Sequence, residues 1–234
     1  MITALATGLG AVPFLFVSRL AHSTIGVANA LAAGFMIAAS GLLFYEGAGA
    51  DPVLTVAGAM IGVLFVALAS RMLAAKHDVH FEALASADAR KALLLVGVMT
   101  VHSFAEGVGV GVSFGGGQSL GLVTALAIAI HNIPEGLAIS LVLIPAGVKV
   151  LHAAGWSVLS SLPQPLVALP AFAFVAFFEA LVPLGLGFAG GAMLWMVVAQ
   201  VIPDALRTSS RRAVVAALVA STVAMLALEA LLLS

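Results

Sequence analysis

Cysteine is absent from the chain, and charged residues make up only 8% of it. The lack of cysteine excludes disulfides and thiolate metal sites. A soluble domain carries roughly 25% charged residues, so water is not the main solvent of this chain. The formal net charge is −1, whereas a nucleic-acid partner would call for a clear basic excess. We therefore expect a membrane protein with no nucleic-acid partner.

Long apolar runs fill the sequence, in which 63% of the 234 residues are hydrophobic. A membrane-spanning helix needs about 20 mostly apolar residues, and membrane strands would alternate in polarity. The runs predict a single all-α integral membrane domain over residues 1–234, with its first helix retained rather than cleaved as a signal peptide. The eight predicted spans are residues 2–20, 28–47, 52–73, 91–115, 119–146, 153–178, 183–206 and 212–233.

Basic residues test this division, because cytoplasmic loops of membrane proteins are rich in lysine and arginine. All nine of them fall on one side of an eight-helix arrangement. They are Arg19, Arg71, Lys76, Arg90, Lys91, Lys149, Arg207, Arg211 and Arg212. This distribution predicts that the basic side faces the cytoplasm and that both termini lie outside.

The one sizeable loop, residues 74–90, is predicted to be cytoplasmic and contains His77, His80 and Glu82. Histidine and glutamate side chains ligate metal ions. Two interpretations of the loop are open: a solvated connector, or a segment that gathers metal ions weakly.

A short similarity relates residues 34–37 of the second helix to residues 191–194 of the seventh. These helices are predicted to run in opposite directions. The similarity therefore favours a 3+2+3 arrangement, in which an inverted repeat brackets the fourth and fifth helices. Transporters of this plan hold their substrate near the middle of the membrane.

The motif His-x-x-x-Glu-Gly occurs twice, with His102 and Glu106 in the fourth predicted helix and His131 and Glu135 in the fifth. Residues four apart share a helix face, so each pair points one way near the middle of its span. A charge at the bilayer centre costs about 2.5–3.5 kcal/mol. No lysine or arginine lies near the middle of a predicted span, where it could neutralise these carboxylates. Two carboxylates and two neutral imidazoles suit a divalent cation such as Zn²⁺. The alternative is a set of structural polar residues that bond between helices.

These motifs resemble the fourth- and fifth-helix signatures of the ZIP family of divalent metal transporters. Residues 188–193 (Phe-Ala-Gly-Gly-Ala-Met) and 201–204 (Val-Ile-Pro-Asp) are similar to its seventh helix, and residues 9–13 (Leu-Gly-Ala-Val-Pro) to the first helix of its bacterial branch. The resemblance covers essentially the whole chain. It implies eight helices with both termini outside, an elevator-like movement of a helix group that includes the fourth and fifth, and a homodimer.

The resemblance also implies a metal site, since the family binds a first ion at the positions of the two motif pairs. A second ion uses acidic or amide residues where this chain has Ser103, Asn132 and Gln164. These side chains are neutral, and a second divalent ion would add charge that nothing balances. We therefore expect one bound ion, with Asn132 at most an auxiliary ligand.

Ser103 and Gln164 are also candidates for the ion pathway, together with three further polar residues. Gln200 stands where the family commonly has glutamate, and it could line the pathway or bond across helices. Asp204 could serve ion release or simply end a helix in solvent. Glu179 could form an entrance or be a plain interfacial charge.

The sequence thus predicts a transporter that moves Zn²⁺, or else Fe²⁺, Mn²⁺, Co²⁺ or Cd²⁺, toward the cytoplasm. We expect a multi-pass protein surrounded by lipid in a bacterial inner membrane, with no resident cofactor and no enzymatic activity. Two alternatives stay open: a metal-binding membrane sensor that does not transport, and an intramembrane metalloenzyme. Against the second, the sequence contains no His-Glu-x-x-His motif.

Overall fold

The computed structural model of the chain describes residues 1–17, 20–75 and 87–233. Every regular element within these ranges is helical, which confirms the predicted all-α class for this part of the chain. The predicted loop ligands His77 and His80 lie outside the described residues, as do Arg19 and Lys76.

The helices follow one another with short connections. The α-helices are α1 (Ile2–Gly8), α2 (His22–Ala50), α3 (Pro52–Ala75), α4 (Ala87–Gly116), α5 (Gln118–Leu143), α6 (Val150–Ser161), α7 (Pro163–Phe177), α8 (Val182–Met196), α9 (Ile202–Thr208) and α10 (Arg211–Leu233). Tighter 3₁₀ turns cover Leu9–Leu15 and Glu179–Leu181, and a wider π-helical turn covers Val197–Val201.

Six helical segments of the described residues are long and apolar enough to cross a membrane. They are Ser23–Ala50, Pro52–Leu73, Gln118–Leu143, Val150–Phe177, Glu179–Thr208 and Arg211–Leu232. The first predicted span corresponds to the shorter apolar segment Ile2–Leu15, and the fourth corresponds to α4. Eight spans therefore stay a prediction.

Three predicted spans are interrupted, each near a proline. The first ends its α-helix at Gly8 and continues as the 3₁₀ turn that contains Pro13. The sixth is divided at Leu162, because Pro163 has no backbone N–H and begins a new helix, α7. The seventh passes through the π-helical turn just before Pro203. Irregular backbone at membrane depth is tolerated where it is buried in protein or lines a cavity.

Glycines bring the backbones of α1, α4, α5 and α7 close together. A Cβ added at Gly136 of α5 would collide with the carbonyl oxygen of Thr7 in α1. A Cβ added at Gly107 of α4 would collide with the backbone of Gln164 in α7. Small residues allow such close approach between membrane helices. Since α6 joins α1 through the hydrogen bond between the Thr7 and Ser161 hydroxyls (2.8 Å), we call α1, α4, α5, α6 and α7 the first helix group.

The other helices pack in the same way among themselves. Added Cβ atoms at Gly58 of α3 and Gly34 of α2 would meet the carbonyl oxygens of Leu184 in α8 and Leu218 in α10. An added Cβ at Gly26 of α2 would also meet α9. We call α2, α3, α8, α9 and α10 the second helix group.

The described glycines that face the opposite group meet side chains rather than backbone. A Cβ at Gly109 of α4 would lie 2.9 Å from the Cβ of Ala189 in α8. A Cβ at Gly185 of α8 would lie 3.3 Å from the Cβ of Val112 in α4. The backbones interlock within each group, whereas side chains separate the two groups.

Three connections that carry basic residues lie toward the same end of the helix assembly. Met99 of α4 lines one cavity together with Ser70, near the end of α3, and Arg207 of α9. Met99 also packs in a cluster with Ala153, four residues after Lys149. We call this the basic end. The α4–α5 turn lies at the opposite end.

Candidate metal centre

Three of the four predicted ligands converge where α4 passes α5. One ligand atom each from Glu106, His131 and Glu135 lies within 4.8 Å of the other two. Their exposed fractions are 0%, 0% and 7%. Two carboxylates are thus held together in a buried place, and no lysine or arginine of the described part of the chain is hydrogen-bonded to either.

Glu106 and His131 are bonded directly. The Nε2–H of His131 donates to Oε1 of Glu106 at 2.8 Å. The other ring nitrogen of His131, Nδ1, is buried and has no hydrogen-bond partner among the described residues. One nitrogen of the imidazole is therefore hydrogen-bonded to the carboxylate, and the other has no partner among the described residues.

His102 is buried one turn from Glu106 but lies outside the group of three. Its Nδ1–H donates to the carbonyl oxygen of Val98 at 2.8 Å. That bond fixes the tautomer, which leaves Nε2 as an acceptor. Nε2 is buried without a hydrogen-bond partner in the described part of the chain. A histidine held in this way presents a lone pair suited to a metal ion.

An amide relay connects Glu106 to α1 and α7. Nε2 of Gln164 donates to Oε2 of Glu106 at 2.5 Å. Oε1 of Gln164 accepts from Nδ2 of Asn132 at 3.0 Å, and the same nitrogen donates to the carbonyl oxygen of Thr3 at 2.8 Å. Oδ1 of Asn132 and the hydroxyl of Ser103 are buried without partners among the described residues. Of Ser103, Asn132 and Gln164, it is thus Gln164 that bonds to the carboxylate itself.

Two cavities reach this site from opposite ends. One cavity, of about 440 Å³, runs from His102 and Glu135 to the basic end. We call it the inner cavity because the basic end is predicted to face the cytoplasm, and we call the other the outer cavity. The outer cavity, of about 700 Å³, is lined mainly by apolar side chains and reaches Gln164. The ligand cluster and the amide relay lie between them.

Comparisons with known proteins agree with the motifs. A protein-family model described as "ZIP Zinc transporter" matches residues 70–228. The zinc transporter GufA of Myxococcus xanthus is 34% identical over 88% of this chain and 87% of its own length. The chain belongs to the ZIP family. The predicted family resemblance is therefore confirmed.

Other relatives of this ZIP chain are longer proteins. A candidate zinc transporter of Arabidopsis thaliana is 48% identical over 97% of the chain, which spans 37% of that protein's length. The zinc transporter ZIP11 of Xenopus tropicalis is 33% identical over 50% of the chain and 37% of its own length. Family and apolar helices together show an integral, multi-pass membrane protein.

Two of the predicted pathway residues of this ZIP chain line the inner cavity. Gln200 lies in the π-helical turn, and its Nε2 donates to the hydroxyl of Ser70 at 3.2 Å. Asp204 is exposed and accepts from Arg207 at 3.1 Å. Glu179 is exposed in the 3₁₀ turn between α7 and α8, away from this cavity.

Sequence reasoning missed two polar residues of the inner cavity, Asn29 and Ser70. Both stand inside apolar predicted spans, and a polar residue within a span is itself a signal of a pathway. It also missed the carbonyl of Thr3, which no side-chain pattern could have indicated.

Proposed function

We propose that this chain transports a divalent metal ion, with Zn²⁺ as its principal substrate, through a site near the middle of the membrane. The observation that carries the proposal is the buried cluster of Glu106, His131 and Glu135 between two cavities. Two ionised carboxylates in this setting match the charge of one 2+ ion. Imidazole and carboxylate ligands are those that zinc takes in proteins.

His102 completes the proposed ligand set. Its Nε2 has a lone pair but no partner in the described part of the chain, and it shares the inner cavity with Glu135. An incoming ion at Oε1 of Glu106 would take the place of the Nε2 proton of His131, and that proton would move to Nδ1 of the same ring, which has no partner in the described part of the chain. Metal binding requires a ring nitrogen without a proton. A small adjustment of side chains would then bring four ligands to one ion.

We propose that the ion moves by an elevator-like displacement of the first helix group against the second. All proposed ligands belong to the first group. Each interhelical hydrogen bond given above lies within one group, and the described glycine contacts between groups are made to side chains. Displacement would therefore break none of these hydrogen bonds. The inner cavity would release the ion past Gln200 and Asp204.

For the orientation in the membrane, the number of bound ions and the oligomeric state, we keep the predictions made from the sequence. With the basic end in the cytoplasm, the eight-span 3+2+3 arrangement has both termini outside and import toward the cytoplasm. Ser103, Asn132 and Gln164 add no charge to the site, so one ion binds, with Asn132 at most auxiliary. The homodimer and the bacterial inner membrane also stay predictions.

Zinc flux tests the proposal. We expect purified protein in proteoliposomes to move radioactive Zn²⁺ across the bilayer, in excess of the amount that the protein binds in detergent. Flux that does not exceed binding would contradict transport and would favour the alternative of a metal sensor.

A further inference from the structure

The amide of Gln164 donates a hydrogen bond to one of the two carboxylate oxygens of Glu106. Its Nε2 lies 2.5 Å from Oε2, while Oε1 of the same carboxylate faces the Nε2–H of His131 at 2.8 Å. Gln164 is 1% exposed, so its bond to the carboxylate is buried. A hydrogen bond to a charged group is about twice as strong as one between neutral groups.

The relay allows only one orientation of this amide. The carbonyl oxygen of Thr3 can only accept, so Asn132 must turn its NH₂ group toward it. The same NH₂ group reaches Oε1 of Gln164. The NH₂ group of Gln164 then faces Glu106. A flipped Gln164 would bring its oxygen against the carboxylate and its NH₂ group against that of Asn132.

Close contact between the backbones of α4 and α7 holds the Gln164 amide within hydrogen-bond distance of Glu106. A Cβ at Gly107 would meet the carbonyl oxygen and Cα of Gln164, so no other residue at 107 would let α7 approach α4 as closely. Pro163 begins α7 directly before Gln164. The amide is therefore placed by a helix terminus and a glycine contact rather than by a mobile loop.

A carboxylate whose second oxygen is occupied offers a metal ion one oxygen only. Zn²⁺ in protein sites is commonly four-coordinate and is satisfied by one atom from each ligand. Mn²⁺ prefers octahedral sites rich in oxygen, and a carboxylate that binds through both oxygens helps to supply them. The bond from Gln164 thus favours the smaller coordination number.

We propose that Gln164 is a positioning residue that sets the metal preference of this site by holding Glu106 as a one-oxygen ligand. The inference rests on the proposed function, since it takes Glu106 as a ligand of the transported ion. It assigns Gln164 a role other than that of metal ligand. Asn132 does not contact Glu106 in this role but fixes the orientation of the Gln164 amide through their hydrogen bond.

Gln164→Met tests this role because methionine has a similar length but no amide. The probes are Zn²⁺ and Mn²⁺, whose affinities are measured by competition on the purified full chain. We expect the ratio of Zn²⁺ to Mn²⁺ affinity to fall about tenfold, the lower end of the effects seen when a partner of a metal ligand is removed. X-ray absorption should also show more than four ligands around bound Zn²⁺ in the variant. Asn132→Leu should lower the ratio in the same direction, and it tests the same step if Gln164→Met does not fold.

Thr124→Val is the matched control, since it removes a buried hydroxyl from α5 two turns from His131 and keeps the side-chain shape. It should leave the ratio unchanged. A parent chain that binds Zn²⁺, with a ratio that neither relay variant alters, would overturn the inference and leave the proposed function standing. A Zn²⁺ ligand contributed by the Gln164 oxygen would also overturn it. A parent chain that binds no Zn²⁺ would overturn both.

Discussion

Glu135→Gln should reduce zinc flux into proteoliposomes to the level of protein-free vesicles. The substitution keeps the shape of the side chain but removes one of the two negative charges that balance the ion. Loss of a partner that merely orients a metal ligand lowers affinity about 10- to 100-fold, and loss of a ligand should cost at least as much. Folding should survive, because removing an uncompensated charge from a buried position relieves a desolvation penalty.

Glu46→Gln is the matched control for this prediction. It makes the same chemical change in α2, which contributes no proposed ligand. Flux in the control should equal that of the parent chain at the same amount of reconstituted protein. Near-normal flux in Glu135→Gln would remove this carboxylate from the ligand set.

Joining the two helix groups by a disulfide should stop transport. A Cβ at position 185 would lie 3.3 Å from the Cβ of Val112, close to the 3.5–4.5 Å that disulfides span. In the variant Val112→Cys with Gly185→Cys, we expect flux to fall to background on oxidation and to return on reduction. The chain has no cysteine of its own, so no other thiol takes part.

A second cysteine pair, placed within one helix group, controls for the effects of cysteine substitution and oxidation themselves. The hydroxyls of Thr7 and Ser161 lie 2.8 Å apart, and both residues belong to the first helix group. Thr7→Cys with Ser161→Cys should therefore form a disulfide on oxidation without loss of flux. Full flux through the oxidised pair at 112 and 185 would contradict displacement between the groups.

Helical periodicity was enough to predict that most of the proposed ligands would lie close together. Glutamate four residues after histidine, on two neighbouring helices, predicted that these side chains would approach each other, and three of the four do so. The spacing could not predict that Glu106 would bond to His131 while His102 remains apart. That choice depends on how far each helix is rotated about its axis, which contacts such as those of Gly107 and Gly136 with neighbouring backbones determine.

The interrupted spans were harder to predict than the apolar runs. Residues 162–165, Leu-Pro-Gln-Pro, contain a clear signal for a break, yet hydropathy alone continues through them. The break places Gln164 at the start of α7 and against Glu106. The position of Gln164 near the site was predicted from the family, whereas its bond to the carboxylate required the fold.

Anomalous scattering at the zinc absorption edge would test the central claim most directly. From crystals of the protein grown with Zn²⁺, we expect one strong peak per chain between α4 and α5. Nitrogen and oxygen atoms of the ligands should lie about 2.0–2.2 Å from it. The ligands should be His102, Glu106, His131 and Glu135. Two peaks of equal strength there, or a single peak away from these side chains, would contradict the account.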